Sequence, residues 1–284
     1  MLATKTPLAA RYLRKLDDIN DQLCFNAFAA EVVAGQVTPM VMSEPEAFTT
    51  AAFPSNPHAS RIHRRLAELP TFQADAMSQA CANSLQVGSE HLQAYFDDVR
   101  KLGVGLLGGE VARRDDDEGD DERLQRQLKA WSGACPSEIF ATAIYLRRRR
   151  NHLVHLHEAP ASEMRNFLGA GATNLLRFWG KRPTELLGFD FAESALDRFR
   201  IEDGYAVMNL MRVCLRKVDV AVAAVLPVEG LARRAAAEVL NRDGKLRGAP
   251  PYVARKLRAT LKMDYGSQVP REMAERIAAE VTSR

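Results

Sequence analysis

The chain has 284 residues, 46% hydrophobic and 26% charged, with 39 Lys and Arg against 36 Asp and Glu. These proportions are those of a globular protein with a sizeable core, and a surplus of three cations does not by itself define a polyanion-coating protein. Cys24, Cys81, Cys135 and Cys214 lack C-x-x-C spacing, which points to reduced thiols in a cytoplasmic setting, and no continuous apolar run resembles a secretory signal.

From the N-terminus, Leu8, Tyr12, Leu16, Ile19, Leu23 and Phe28 recur at helical spacing and predict a helix over 7–33, which Gly35 should end. Residues 35–60 hold four prolines and no lasting period, so an extended connection is expected there. A short basic helix over 60–69 should stop at Pro70. Thr71 then serves as N-cap for a long helix, or a broken pair, running to about Leu102. Gly103 to Gly109 loosen the chain, and seven of the eight residues 115–122 are acidic. A solvated, mobile acidic loop is expected at about 108–122. The sharper alternative is a polyanion mimic that shields a basic cleft.

Residues 123–131 read as a helix that Gly133 breaks, and Pro136 launches the next one, which Pro160 closes. Ser162 and Glu163 cap a helix that continues to Trp179, and a shorter segment covers 189–199. The longest apolar stretch, 205–226, is interrupted by Arg212, Arg216, Lys217 and Asp219, and so reads as a buried helix rather than a membrane span. Beyond Pro227, two or three short helices carry twelve Lys or Arg against seven Asp or Glu. That tail is read either as a nucleic-acid-binding arm or as a helical cap with a basic wet face. No run alternates with period two, so the fold class is all-α. The expected division is an N-terminal helical extension and linker (1–70), a helical bundle (71–226) and a basic helical appendage (227–284).

The stretch 139–157, IFATAIYLRRRRNHLVHLH, carries the chemistry. At about 100° per residue, Ile139, Ala143, Leu146 and Leu153 share one stripe, widened by Phe140, Ile144 and Val154. Arg150 falls inside that arc, Asn151 beside Ile144 and His155 at its edge, while Arg149 falls outside it. A guanidinium and an amide within an apolar face are costly unless they are paired or line a cleft.

Arg150, Asn151 and His155 spell R-N-x-x-x-H, and in a long helix of an all-α chain this resembles the signature of the HEPN superfamily. The resemblance covers at most residues 71–226. It implies a HEPN-like helical bundle that forms a homodimer, in which two motif helices face each other and cut RNA without metal. Arg150, Asn151 and His155 would be the catalytic residues, with Arg147, Arg149 and His152 contacting RNA. The implied biology is that of toxins and antiphage defence, with an antitoxin or regulatory protein as a further partner.

Those residue types suit that reaction. Histidine moves a proton near neutral pH, so it fits the 2′-hydroxyl or the leaving 5′-oxygen. Arginine grips two phosphate oxygens and stays charged, and an asparagine amide orients its neighbours. The products would be a 2′,3′-cyclic phosphate and a 5′-hydroxyl, with no metal and no cofactor required. Arg149 with His155, and Arg150 with His157, fit looser versions of the motif. Arg148 and Arg149 also fit a solvated face, and Arg150 and Asn151 fit buried groups paired with carboxylates. His152, His155 and His157 hint at zinc, but no Cys or carboxylate cluster completes four ligands. The alternatives in function are a non-catalytic HEPN-like module binding RNA, nucleotide or a protein, and a DNA-binding regulator that uses the basic tail.

Overall fold

The computed structural model describes residues 2–109, 118–154, 162–242 and 248–283. Helices account for nearly all regular structure there, and the one bridge joins Phe48 to Arg65. The elements are α1 (Pro7–Ser43), α2 (Thr49–Ala52), α3 (Ala59–Ile62), α4 (Leu69–Leu107), α5 (Asp120–Ala130), α6 (Ser137–Val154) and α7 (Ser162–Asn166). A π-helical turn (Phe167–Gly171) leads into α8 (Ala172–Trp179), followed by α9 (Pro183–Leu186), α10 (Ile201–Val225), α11 (Val228–Arg242), α12 (Pro250–Tyr265) and α13 (Arg271–Thr282).

The all-α expectation holds among the described residues, but several boundaries move. Helix α1 does not stop at Gly35 and runs through Pro39 to Ser43. Pro39 leaves the Gly35 carbonyl without its helical donor, and Thr38 Oγ1 back-bonds to the Ala34 carbonyl at 2.7 Å. Burial of Val37 holds this end of the helix down, so tertiary packing overrides the two breakers. The expected basic helix is only α3, because His63 turns left-handed (φ 40°) and ends it. Helix α4 likewise continues through Gly103 to Leu107; a Cβ on Gly103 would stand 2.2 Å from the Trp131 ring, so the missing side chain is where that indole lies.

The acidic run is not a loop throughout. Residues 110–117 lie outside the described set, but Asp120, Asp121 and Glu122 form the first turn of α5, where carboxylates suit the positive helix end. Glu122 accepts from the Gly119 N–H at 3.1 Å, and buried Asp121 accepts from Gln93 Nε2 at 3.0 Å.

The chain forms two compact units. One comprises residues 1–15, 89–145 and 211–284, the other 16–88 and 146–210. Helices α1, α4, α6 and α10 each carry residues of both. The first unit is organised around Asp219 of α10. Its buried carboxylate accepts from Thr6 N (2.8 Å), Thr6 Oγ1 (2.6 Å) and Tyr95 Oη (3.0 Å), fastening the N-terminal segment to α10 and α4. Helices α11, α12 and α13 pack on one another through Leu231, Ala235, Leu257, Leu261 and Ile277, and Thr4 N donates to the Tyr265 carbonyl at 3.0 Å. The tail is thus integral to this unit. In the second unit the irregular 187–200 segment buries Phe189, Phe191, Leu196 and Phe199.

Candidate functional site

Helix α6 begins with Ser137 and Glu138 after Pro136 and buries Ile139, Phe140, Ala143 and Leu146, as its periodicity requires. The buried arc extends in the direction opposite to that expected. It takes in Thr142, Tyr145 and Arg149, at spacings of three and four, rather than Ile144, Arg150 and Val154.

Arg149 is only 1% exposed. Its Nε donates to the Leu196 carbonyl at 3.0 Å and its Nη2 to the Arg198 carbonyl at 3.2 Å. Its guanidinium lies 4.1 Å from the Phe199 ring centre and 5.6 Å from that of Phe189. The physical cause is the 187–200 segment, where buried carbonyls have no helix or sheet ladder to satisfy them and need side-chain donors. A planar fork that also stacks on an aromatic ring meets both demands. At the same turn, Asp203 feels opposing influences. Burial would raise its carboxyl, but hydrogen bonds from Arg200 and the charges of Arg200 and Arg149 hold it below the usual range.

The expectations for Arg149 are therefore corrected. It lies inside the buried arc and not on a solvated face, and its donor edge serves carbonyls of its own chain rather than RNA phosphate. The looser pairing of Arg149 with His155 loses its surface arginine for the same reason.

Arg150 and Asn151 are half-buried at the end of α6, and Arg150 Nη1 donates to Asn151 Oδ1 at 3.1 Å. Because a guanidinium only donates, this contact assigns the amide oxygen to the Arg150 side. Arg147, Arg148 and His152 are half-buried as well. His155 and His157 lie outside the described residues. The structure therefore brings together Arg150 and Asn151 of the R-N-x-x-x-H set.

A groove of about 780 Å³ is lined by Glu118, Glu122, Arg126, Lys129, Cys135 and Phe140, and contains no motif residue. Arg126 is paired with Glu118 at 2.6 Å, and burial pushes the Cys135 thiol up to about 11, so it is protonated and unreactive at neutral pH. A smaller cleft of about 250 Å³ on α12 is lined by Arg258, Lys262 and Gln268. Among the described residues, no three His, Cys, Asp or Glu side chains stand where one metal ion could be held, and no helix is long and apolar enough to cross a membrane.

The buried roles of Arg149 and Asp219 were not read from the sequence, which placed Arg149 on the surface. The Thr142, Tyr145, Arg149 stripe was the available signal for the first, and a single acid in an otherwise apolar run was the signal for the second. No protein-family model, curated protein or solved structure matches the chain.

Proposed function

We propose that the protein is a metal-independent endoribonuclease of HEPN type, acting as a homodimer in a toxin or antiphage-defence role. The observation that supports this is the half-buried, coupled Arg150–Asn151 pair at the end of α6, with Asn151 four residues ahead of His155. In this reading His155 takes the proton from a ribose 2′-hydroxyl, whose oxygen attacks the adjacent phosphorus. The P–O5′ bond breaks, the 5′-oxygen gains a proton, and the products are a 2′,3′-cyclic phosphate and a 5′-hydroxyl. Arg150 neutralises the phosphate as its charge builds, and Asn151 holds the guanidinium in place. One helix does not bring Arg150 and His155 onto the same face, so a second copy completes the site.

The test is RNA cleavage in the presence of EDTA. His155→Ala and Arg150→Ala should each lower the rate about 100-fold or more while the protein stays folded. Asn151→Ala should be milder. Full activity in folded His155→Ala protein overturns the proposal. A second reading, a non-catalytic module that binds RNA, nucleotide or a protein, draws on the structural use of Arg149 in the middle of the arginine run. Binding without cleavage by the unmodified protein would select it.

A further inference from the structure

Helix α1 is apolar on two opposite sides. Its inner side, with Leu16, Ile19, Leu23 and Val37, is buried within the chain. About 200° round, at the alternating three- and four-residue spacing of a coiled-coil seam, stand Phe25, Phe28, Val32, Gly35, Pro39 and Met42. All six are exposed, with Phe25 at 66%, Phe28 at 62%, Val32 at 45% and Met42 at 82%.

We propose that this outer seam is an interface between two copies of the chain, with their α1 helices packed antiparallel about a two-fold axis near residues 33 and 34. The pattern is complementary to itself only in that direction. Phe25 would meet Met42 of the partner subunit, Phe28 would meet Pro39 of the partner subunit, and Val32 would meet Gly35 of the partner subunit. Each large residue in the first half faces a smaller or more pliant one in the second. Nothing lies within 4 Å of where a Gly35 Cβ would stand, so the backbones can approach closely at the axis. A parallel pairing would instead stack Phe on Phe at one end and Met on Met at the other, with Gly opposite Gly between them.

Charge narrows the choice of occupant. Between Leu16 and Ser43 there is no Lys or Arg, while Asp17, Asp18, Asp21 and Glu31 are acidic. That balance repels RNA and anionic lipid surfaces, leaving a protein partner. In the antiparallel pairing Glu31 falls beside Thr38 of the partner subunit, and Ala29 beside Gln36 of the partner subunit, so no like charges meet along the seam. The area is also adequate. Aromatic side chains carry roughly 150–250 Å² each, so two rings exposed by more than half present on the order of 200 Å². Val32 and Met42 bring the strip to several hundred Å², which doubled across the axis approaches the roughly 1,000 Å² of a specific interface. The proposal is independent of the ribonuclease reading, because it uses α1 and not α6.

Sedimentation equilibrium of the intact chain tests it. The unmodified protein should self-associate at roughly 100 µM, and Phe28→Glu or Met42→Glu should raise the dissociation constant of the α1-mediated step about tenfold or more; where the α6 helices also pair, this reads as a halving of the largest species rather than as monomer. These side chains are exposed in the single chain, so far-UV circular dichroism should be unchanged, and melting should match that of the unmodified protein when both are diluted below its dissociation constant. If one variant is unstable, the other carries the test. In a Cys24→Ser background, Phe25→Cys with Met42→Cys should form disulfide-linked dimers on mild oxidation. Phe25→Cys alone should not, because its two copies would lie about 26 Å apart along the helix axis. A monomeric unmodified protein, an association that neither Glu substitution weakens, or efficient cross-linking by Phe25→Cys alone would each overturn the proposal.

Discussion

Replacing Arg149 with Met keeps most of the stem's volume and removes the guanidinium, which isolates what the charged fork contributes. The Leu196 and Arg198 carbonyls would lose donors at 3.0 and 3.2 Å, and Phe199 would lose a cation 4.1 Å from its ring centre. A hydrogen bond to a charged group contributes about 1.5–3 kcal/mol, and a desolvated cation–π contact up to about 2 kcal/mol. The relief of no longer burying a charge offsets part of this, leaving a net loss of about 3–5 kcal/mol. For a chain of this size that corresponds to a fall in melting temperature of roughly 5–8 °C. Arg149→Lys should fall in between, because a compact ammonium cannot fork to two carbonyls and stack on a ring. Thermal melts followed by circular dichroism read the effect. RNA binding and cleavage, measured well below the melt and per folded molecule, should stay at the unmodified level. A variant as stable as the unmodified protein, or one that is stable but has lost RNA affinity, would refute the structural assignment of Arg149.

Three further outcomes are expected. Burial raises the Asp219 carboxyl above the usual carboxylate range, against hydrogen bonds from Thr6 and Tyr95 that lower it. A raised folded value stabilises fully below the unfolded carboxylate pKa and loses that contribution as pH rises through the folded value. The stability difference between the unmodified protein and Asp219→Asn should therefore shrink as pH climbs from acid toward neutral, and a flat difference would contradict the buried cluster. Gly103→Ala drives a Cβ into the Trp131 ring at 2.2 Å, so it should cost about 1–3 kcal/mol and red-shift Trp131 fluorescence, whereas unchanged emission would argue against that packing. In the tail, Arg233, Arg234, Arg271 and Arg276 are paired with glutamates, while Arg258 and Lys262 line a cleft on α12. Deleting residues 228–284 should therefore cause aggregation, and Arg258→Glu with Lys262→Glu should lower any RNA affinity together with its salt slope; an unchanged slope would remove α12 from RNA binding.

The sequence by itself determined the class of fold. Period-3.6 apolar patterns without alternation left only helices, and the breakers at Gly133, Pro136 and Pro227 marked real boundaries, with α5 ending at Ala130, α6 starting at Ser137 and α10 ending at Val225. Gly35, Pro39 and Gly103 look equally disruptive in one dimension. Yet α1 and α4 run through them, because burial of Val37 and the Trp131 ring against Gly103 outweigh local propensity. The motif was legible as letters, but which arginine of four is buried was not. A helical wheel centred on the apolar residues of α6 favours Arg150 over Arg149 by a rotation of about 100°. Only the tertiary structure places the unladdered carbonyls of Leu196 and Arg198 beside α6, nearly fifty residues away in sequence, and their need for donors draws Arg149 into the core. Hydrogen-bond demand from a distant irregular segment leaves no period in the chain that meets it, so that part of the site was decided by the fold alone.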